Sequence, residues 1–454
     1  MLSIKNYIVS NISSKNIISQ LMETINSVGY VLPIEEAKKT FQLELGIPHV
    51  EHDDNNTNRH MFEFNYLRRR LLSVNEYTWN SFFRFNNVNY CILKVGEESE
   101  EDSKKAKNTK FSIDICFILI DNDFDEIDRI LGCFKKRIPS IKQWEEYRRI
   151  SKTFDELSKT YTAPLFSKEE YYIANSLYDP SLLNILMSIK SSGGLLRRDV
   201  LTKFERILDI NLFIEKLIDL KLLRSEYVVL CKKTSEQINK APVKESINLM
   251  GEHGIRCSRC NRLITDETVE EYLAVTDTAN GMLDGSKWMT INLVETLINL
   301  GISEQDILVN ITQGPEEIDA IVSIGDEIVL FELKDSQFSL GHAYAFQSRL
   351  GIYEAETGVI WATKGVAPEV KEHFNKVKPD AEICYIENIV SLVPSLVTII
   401  EKITWAILER ELSSLSSTGI IILNIPGGII EDIKIKKKTN QESIDLKVAA
   451  SIEG

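Results

Sequence analysis

The amino-acid sequence predicts a multidomain protein of mixed α/β class. Its 454 residues exceed what a single hydrophobic core normally organises, so the length indicates several domains. Helical and extended hydrophobic patterns alternate along the chain, which is typical of an α/β protein. Five segments are expected. They span residues 1–175, 176–240, 241–285, 286–390 and 391–454.

The composition of the chain indicates its cellular compartment and disfavours some classes of partner. The net charge of −14 disfavours a protein that coats nucleic acid indiscriminately, because phosphate repels an acidic surface. No run approaches the roughly 20 apolar residues that cross a bilayer, and the first residues lack the layout of a signal peptide. Seven scattered cysteines suit a reducing compartment better than a disulfide framework. We therefore expect a cytoplasmic protein without membrane contact.

The first segment is predicted to be a small α+β domain. Residues 1 to about 48 are interpreted as helical, and strands are expected at residues 90–95 and 111–120. A helical stretch from Asp125 to about Thr160 closes the segment. No residue pattern here indicates an active site, so the expected role is to sense an activating partner or a small-molecule signal.

Residues 180–233 show three short helical patterns followed by a strand. This order resembles a winged helix-turn-helix, which implies either DNA contact or a docking and dimerisation role, including a homodimer. Residues 181–240 hold 11 Lys and Arg against 7 Asp and Glu, a local excess of positive charge. The excess favours nucleic acid as the partner, and the fold alone leaves both uses open.

A cysteine pair, Cys257 and Cys260, lies in the connector that follows. Two cysteines at this spacing can turn both thiolates toward one zinc ion. The nearest further ligands are Cys231 and His253, which would complete a structural zinc site. The alternative is a pair of free cysteines at the start of a loop. A redox role is disfavoured because no thioredoxin-like strand precedes the pair.

Charged residues in apolar strands make residues 286–390 the place to expect chemistry. Asp319 opens one strand, Glu332 and Lys334 end the next, and Gly325-Asp326 links the two. Side chains alternate across a strand, so Glu332 and Lys334 share a face. The hairpin brings Asp319 within reach, and two close carboxylates repel unless a cation lies between them. Hard oxygen ligands select Mg²⁺ or Mn²⁺. An edge hairpin with a Glu332–Lys334 salt bridge is the alternative, and it leaves Asp319 unexplained.

Asp319 followed by Glu332-x-Lys334, after a helix carrying Glu295, resembles the PD-(D/E)xK superfamily of restriction endonuclease-like nucleases. Ile318 stands where the family name has proline. The resemblance implies an αβββαβ core in which Asp319 and Glu332 bind the metal and Lys334 orients or helps to deprotonate the attacking water. It also implies that Glu295 adds a metal contact and that Gln347 touches the site. For Glu295, an ordinary position at the border of an apolar helix face stays open.

The sequence therefore predicts a Mg²⁺-dependent endonuclease that cleaves DNA. A role in defence against foreign DNA follows by analogy with the superfamily. One alternative is a regulatory DNA-binding protein that uses an inactive nuclease-like scaffold, and another is an RNA nuclease of the same fold. The intact set of Asp319, Glu332 and Lys334 argues against a scaffold. A long helix at about 389–412 and a β-rich tail are expected as the C-terminal extension.

Overall fold

The chain, seen in a computed structural model, is of mixed α/β class and divides into two compact units. The first unit comprises residues 1–151, 324–326 and 397–454, and the second comprises 152–323 and 327–396. The division into five segments stays a prediction from the sequence. The structure describes residues 3–13, 16–27, 77–85, 89–98, 110–119, 124–161, 165–313, 316–416, 430 and 433–435.

The first unit is built on a five-stranded sheet with strand order β2-β3-β4-β1-β5. Its elements are β1 (Ser3–Ser13), α1 (Ile17–Ser27), β2 (Tyr77–Phe85), β3 (Asn89–Glu98), β4 (Lys110–Leu119), α2 (Phe124–Arg137) and β5 (Glu145–Tyr147). The strands predicted at 90–95 and 111–120 are confirmed as β3 and β4. The antiparallel pairing of β1 with β4 joins residues distant in sequence, such as Ile4 and Ile118.

Two secondary-structure predictions for this region are corrected. The first residues form β1 rather than a helix, because pairing with β4 satisfies their backbone groups. Helix α1 begins only at Ile17, and residues 28–48 lie outside the described part of the chain. The continuous helix predicted from Asp125 to Thr160 is interrupted, since β5 pairs with β1 between two separate helices.

The first half of the second unit contains a four-stranded sheet with strand order β6-β9-β7-β8. Its elements are α3 (Lys152–Ser158), α4 (Lys168–Leu177), α5 (Pro180–Ser191), β6 (Leu195–Leu196), α6 (Arg197–Lys203), α7 (Ile210–Asp219), β7 (Leu223–Leu230), β8 (Gln237–Ala241), α8 (Lys244–Glu252), β9 (Thr268–Val275) and α9 (Asp277–Leu283). Helix α5 begins where the sequence directs it, with Asp179 capping the backbone N–H of Ser181 and Pro180 in the first turn.

The second half contains a five-stranded sheet with strand order β10-β11-β12-β13-β14. Its elements are α10 (Lys287–Asn299), β10 (Ile307–Gln313), β11 (Glu316–Ile324), β12 (Glu327–Lys334), α11 (Leu340–Ile352), β13 (Thr357–Ala362), α12 (Pro368–Val377) and β14 (Glu382–Ile386). Strands β10 and β11 are antiparallel, whereas β13 is parallel to β12 and β14. This is the order of helices and strands that the sequence pattern predicts.

Helices pack closely on this sheet and hold its strand ends in place. Every residue of β13 is buried. A Cβ at Gly358 would lie 2.9 Å from side-chain atoms of Leu350 and Phe346, so glycine there permits α11 to approach the strand. The indole of Trp288 on α10 meets Trp361 edge-to-face at 6.1 Å and donates to Asp335, just beyond β12. These contacts fix the end of β12 relative to α10.

The final helix is α13 (Leu392–Ser416). Beyond it, the described residues 430 and 433–435 are helical, so the predicted β-rich character is wrong there. The rest of the predicted tail lies outside the described residues. Within the described part of the chain, no helix has the length and apolar character needed to cross a membrane.

Candidate active site

Adjacent strands β11 and β12 bring Asp319 beside the end of β12. The carboxylate of Asp319 accepts a hydrogen bond of 2.6 Å from the backbone N–H of Leu333. Leu333 lies between Glu332 and Lys334, so this bond places Asp319 next to both predicted partners. Glu332 is only 6% exposed, which is unusual for a carboxylate and requires compensation by cations.

Two cationic side chains contact the buried carboxylate of Glu332. Lys334 Nζ lies 3.3 Å from Oε1, and the guanidinium of Arg349 lies 2.7 Å from Oε2. Lys334 shares the face of β12 with Glu332, as strand alternation predicts. Arg349 comes from α11 and was not singled out from the sequence. Its separation of three residues from the buried Phe346 could have indicated that it lies at the edge of the helix face that packs on the sheet.

The surroundings of Asp319 change the ionisation of its carboxyl group. Burial, followed by the negative charge of Glu332, raises the pKa of Asp319 to about 7, against the opposing effects of the Leu333 N–H and the Lys334 ammonium. Two cations accompany the two carboxylates, so it is chiefly burial that makes ionisation of Asp319 unfavourable at neutral pH. Such a pair binds either a proton or a metal cation.

His342 on α11 also lies in the electrostatic field of this site. Burial and the charge of Lys334 lower its pKa, whereas Glu332 opposes the shift. Its ring nitrogen Nδ1 lies 3.2 Å from the backbone nitrogen of Ser339, within a capping arrangement at the start of α11. The imidazole is therefore held in place as a predominantly neutral group at neutral pH.

The other two predicted site residues have different partners. Glu295 on α10 accepts a hydrogen bond of 2.8 Å from Asn175. Gln347 on α11 contacts His373 of α12 at 2.7 Å. Among the hydrogen bonds and ion pairs of the described residues, neither side chain reaches Asp319, Glu332 or Lys334. The residues brought together are thus Asp319, Glu332 and Lys334, with Arg349 added.

A second cluster of ligand-type side chains lies at the end of β7. Sulfur and oxygen atoms of Cys231, Cys257, Cys260 and Glu267 all lie within 4.8 Å of one another. The fourth member is Glu267 rather than His253. His253 is exposed at the end of α8, whereas Glu267 directly precedes β9 and is buried. The register of β7 and β9, which pairs Leu230 with Thr268, brings Glu267 beside Cys231.

The basic residues near α6 are paired with acidic side chains. Arg197 forms ion pairs with Glu215 at 2.7 Å and with Glu271 at 3.2 Å, and Arg198 pairs with Glu270 at 2.6 Å. Strand β9 supplies two of these acids from outside the 181–240 window. Over residues 181–275, the sequence holds 15 Lys and Arg against 13 Asp and Glu, so the local excess of positive charge is smaller in the folded module.

Comparisons with known proteins identify no family. No protein-family profile matches the chain, and no curated protein matches it. Among solved structures, it is similar to the crystal structure of protein VC1899 from Vibrio cholerae, with 11% identity and a TM-score of 0.33. The match covers 58% of this chain and 64% of that chain, which is less than two thirds of the length of VC1899.

Proposed function

We propose that the second unit is a metal-dependent nuclease that hydrolyses phosphodiester bonds, with DNA as the first substrate to test. The observation that carries this proposal is the placement of Asp319 beside a buried Glu332 that is flanked by Lys334 and Arg349. A purely structural salt bridge would need one carboxylate and one cation. Asp319 is a second carboxylate at the same strand end, and its burial makes ionisation costly in a way that a bound divalent cation would offset.

The carboxylates fit a divalent ion. Asp319 and Glu332 would hold it, and the ion would lower the cost of ionising the partly buried Asp319. A bound Mg²⁺ or Mn²⁺ supplies Lewis-acid chemistry, because it lowers the pKa of water and offsets charge on the phosphate. The order of α10, β10–β12, α11 and β13 supports the resemblance to the PD-(D/E)xK superfamily.

Lys334 and Arg349 have distinct roles in this proposal. The Lys334 side chain is 31% exposed, so its ammonium can contact incoming water and phosphate as well as Glu332. It would orient water for attack on phosphorus, forming one P–O bond as the bond to the leaving oxygen breaks. Arg349 is 14% exposed and would act through Glu332 by fixing the orientation of that carboxylate.

The first half of the second unit, with helices α5–α7 followed by strands β7 and β8, supports the resemblance to a winged helix. The surface of α7, however, does not favour contact with phosphate. The exposed positions of α7 include Leu212, the two acidic residues Glu215 and Asp219, and one basic residue, Lys216. Leu208, just before the helix, is 85% exposed. Acidic and apolar side chains at these positions favour a protein partner over a nucleic acid backbone.

The cleavage assay compares Lys334→Ala with the matched control Lys371→Ala. Lys371 also pairs with a glutamate, Glu387, at 2.7 Å, and it lies on α12. We expect metal-dependent cleavage to fall at least about 100-fold in Lys334→Ala, because charge stabilisation near the phosphate is lost, and to persist in Lys371→Ala. Plasmid, linear duplex, single-stranded DNA and RNA are incubated with Mg²⁺, Mn²⁺ or EDTA.

Cleavage that survives in Lys334→Ala, or that resists EDTA, contradicts the assigned site. Cleavage of RNA alone would retain the chemistry and replace the substrate class. Binding of nucleic acid without cleavage in any metal would favour the scaffold alternative.

A further inference from the structure

We propose that Cys231, Cys257, Cys260 and Glu267 form a structural zinc site with three sulfur ligands and one carboxylate ligand. These residues come from three separate segments, the end of β7, the loop after α8 and the residue before β9. Their ligand atoms nevertheless lie within 4.8 Å of one another. This site is independent of the proposed nuclease chemistry.

Two backbone turns with the same hydrogen-bond pattern present the cysteines. In the first, Ser235 N–H donates to the carbonyl of Cys231 at 2.7 Å, and Cys231 N–H donates to the carbonyl of Glu236 at 2.9 Å. In the second, Asn261 N–H donates to Cys257 at 2.9 Å, and Cys257 N–H donates to Arg262 at 2.8 Å. Ser235 and Asn261 both adopt a left-handed conformation, with φ of 58° and 64°.

The two turns differ at the position where a second cysteine would complete each pair. Three residues after Cys257 stands Cys260, and three residues after Cys231 stands Thr234. The first turn therefore offers one thiol where the second offers two. Glu267 supplies the missing fourth ligand, because the pairing of Leu230 with Thr268 brings it beside Cys231.

The donor set and its spacing select zinc. Thiolates are soft ligands that favour Zn²⁺ over Mg²⁺, and a tetrahedral ion with Zn–S bonds of about 2.3 Å needs sulfur atoms about 3.8 Å apart. The observed spacing of up to 4.8 Å is close enough for small side-chain rotations to complete the coordination. Four protein ligands would close the site to water, which is the arrangement of structural rather than catalytic zinc.

Glu267 is already oriented for this role. The backbone N–H of Lys232 donates to one carboxylate oxygen at 2.6 Å, and the thiol of Cys260 donates to the other at 2.6 Å. Zinc binding would replace the thiol proton and keep the hydrogen bond from Lys232 as support. The ion would join β7, the loop after α8 and β9 next to a small apolar cluster of Val229, Ala241, Ile247 and Ile264.

The test measures zinc in the full-length protein after equilibration with ZnSO₄ and dialysis. We expect one equivalent of zinc in the wild type and in the control His253→Ala, and a loss of zinc in Cys257→Ser. Glu267→Gln keeps the side-chain shape and is expected to weaken zinc affinity about 10- to 100-fold in competition with a chromophoric chelator. Substitution with Co²⁺ should give thiolate-to-metal charge-transfer absorption.

Loss of zinc in a variant could come from a missing ligand or from a folding defect, and a variant that regains zinc distinguishes the two. Thr234→Cys combined with Glu267→Gln places a cysteine in the first turn, at the position equivalent to Cys260 in the second turn, and it should restore tight zinc binding. In the wild type, a zinc chelator should lower the melting temperature and expose three thiols to a thiol reagent.

Zinc retained by Cys257→Ser would overturn the proposal, as would a wild type that binds no zinc under reducing conditions. Loss of zinc in His253→Ala without loss in Glu267→Gln would overturn the assignment of the fourth ligand.

Discussion

Asp319→Asn is expected to stabilise the metal-free protein at about pH 8 while it abolishes cleavage. The pKa of Asp319 is about 7 in the folded protein, against 3.8 as its ordinary value. The unfolded chain therefore loses this proton at lower pH than the folded chain does. The stability that the protonated group contributes is fully present below about pH 4 and is lost as the pH rises through about 7.

Asparagine carries no charge to desolvate, so the Asp319→Asn variant does not lose folding stability as the pH rises through about 7. A shift of about three pKa units corresponds to an upper bound of about 4 kcal/mol, and partial solvent screening reduces it. We expect a gain of about 1–2 kcal/mol in the free energy of unfolding at about pH 8, seen as a rise of a few degrees in melting temperature. The gain should vanish near pH 4. Thermal melts across this pH range measure it.

Magnesium provides a second measurement on the same variant. An ion that binds only the folded state stabilises the wild type by about 2.7 kcal/mol at 100 times its Kd. Asp319→Asn should lose this Mg²⁺-dependent shift together with at least about 100-fold of the cleavage rate. The Mg²⁺-dependent shift in melting temperature reports metal binding in the absence of substrate. It therefore distinguishes a protein that has no metal site from a nuclease that binds metal but needs an activating partner to cleave.

The matched control is Asp284→Asn, since Asp284 is 70% exposed and pairs with Lys190. It should leave the pH dependence of melting and the Mg²⁺ shift unchanged. A wild type whose melting temperature ignores Mg²⁺ at every pH, or an Asp319→Asn variant with the wild-type pH dependence, would contradict the assignment of Asp319 to a metal site.

Local patterns predicted the second half of the second unit well. Strand β12 has a continuous apolar run that ends in Glu332 and Lys334, and the short link Gly325-Asp326 connects it to β11, its neighbour in the sheet. Alternation along one strand then places both charged side chains on one face. Such information is contained within about 20 neighbouring residues, so no distant contact was needed to locate this cluster.

The errors arise where distant segments determine the outcome. The first residues form β1 because β4, more than 100 residues away, pairs with them. Glu267 replaces His253 in the cysteine cluster because the β7–β9 register brings it there, although His253 is nearer to Cys257 in sequence. Arg349 reaches Glu332 through the packing of α11 on the sheet. None of these contacts has a local sequence signal strong enough to outweigh simple proximity.

Glu411→Gln is expected to destabilise the first unit by about 3–5 kcal/mol. Glu411 on α13 is buried, and its carboxylate pairs with Lys94 of β3 at 2.9 Å and with Arg149. Asp114 of β4 completes the group, 3.8 Å from Arg149, and accepts a hydrogen bond from Tyr147. Removing one charge of a buried network leaves the remaining cations undercompensated, which costs more than the pair itself contributes.

The surroundings of Lys94 already disfavour its charged form. Burial and then the positive charge of Arg149 lower its pKa, and Asp114 opposes them. Thermal and urea unfolding of Glu411→Gln measure the loss, with Glu409→Gln as the control because Glu409 is exposed on the same helix. The control should stay within about 0.5 kcal/mol of the wild type.

A double variant, Lys94→Met with Glu411→Met, separates charge imbalance from lost packing. Methionine side chains of similar length remove both ions of the closest pair and keep most of the buried volume, so the double variant should be markedly more stable than Glu411→Gln. Asp114 would still compensate Arg149 in this background. Equal destabilisation of the single and double variants would contradict the electrostatic explanation, because the loss would then come from packing of α13 rather than from an uncompensated charge.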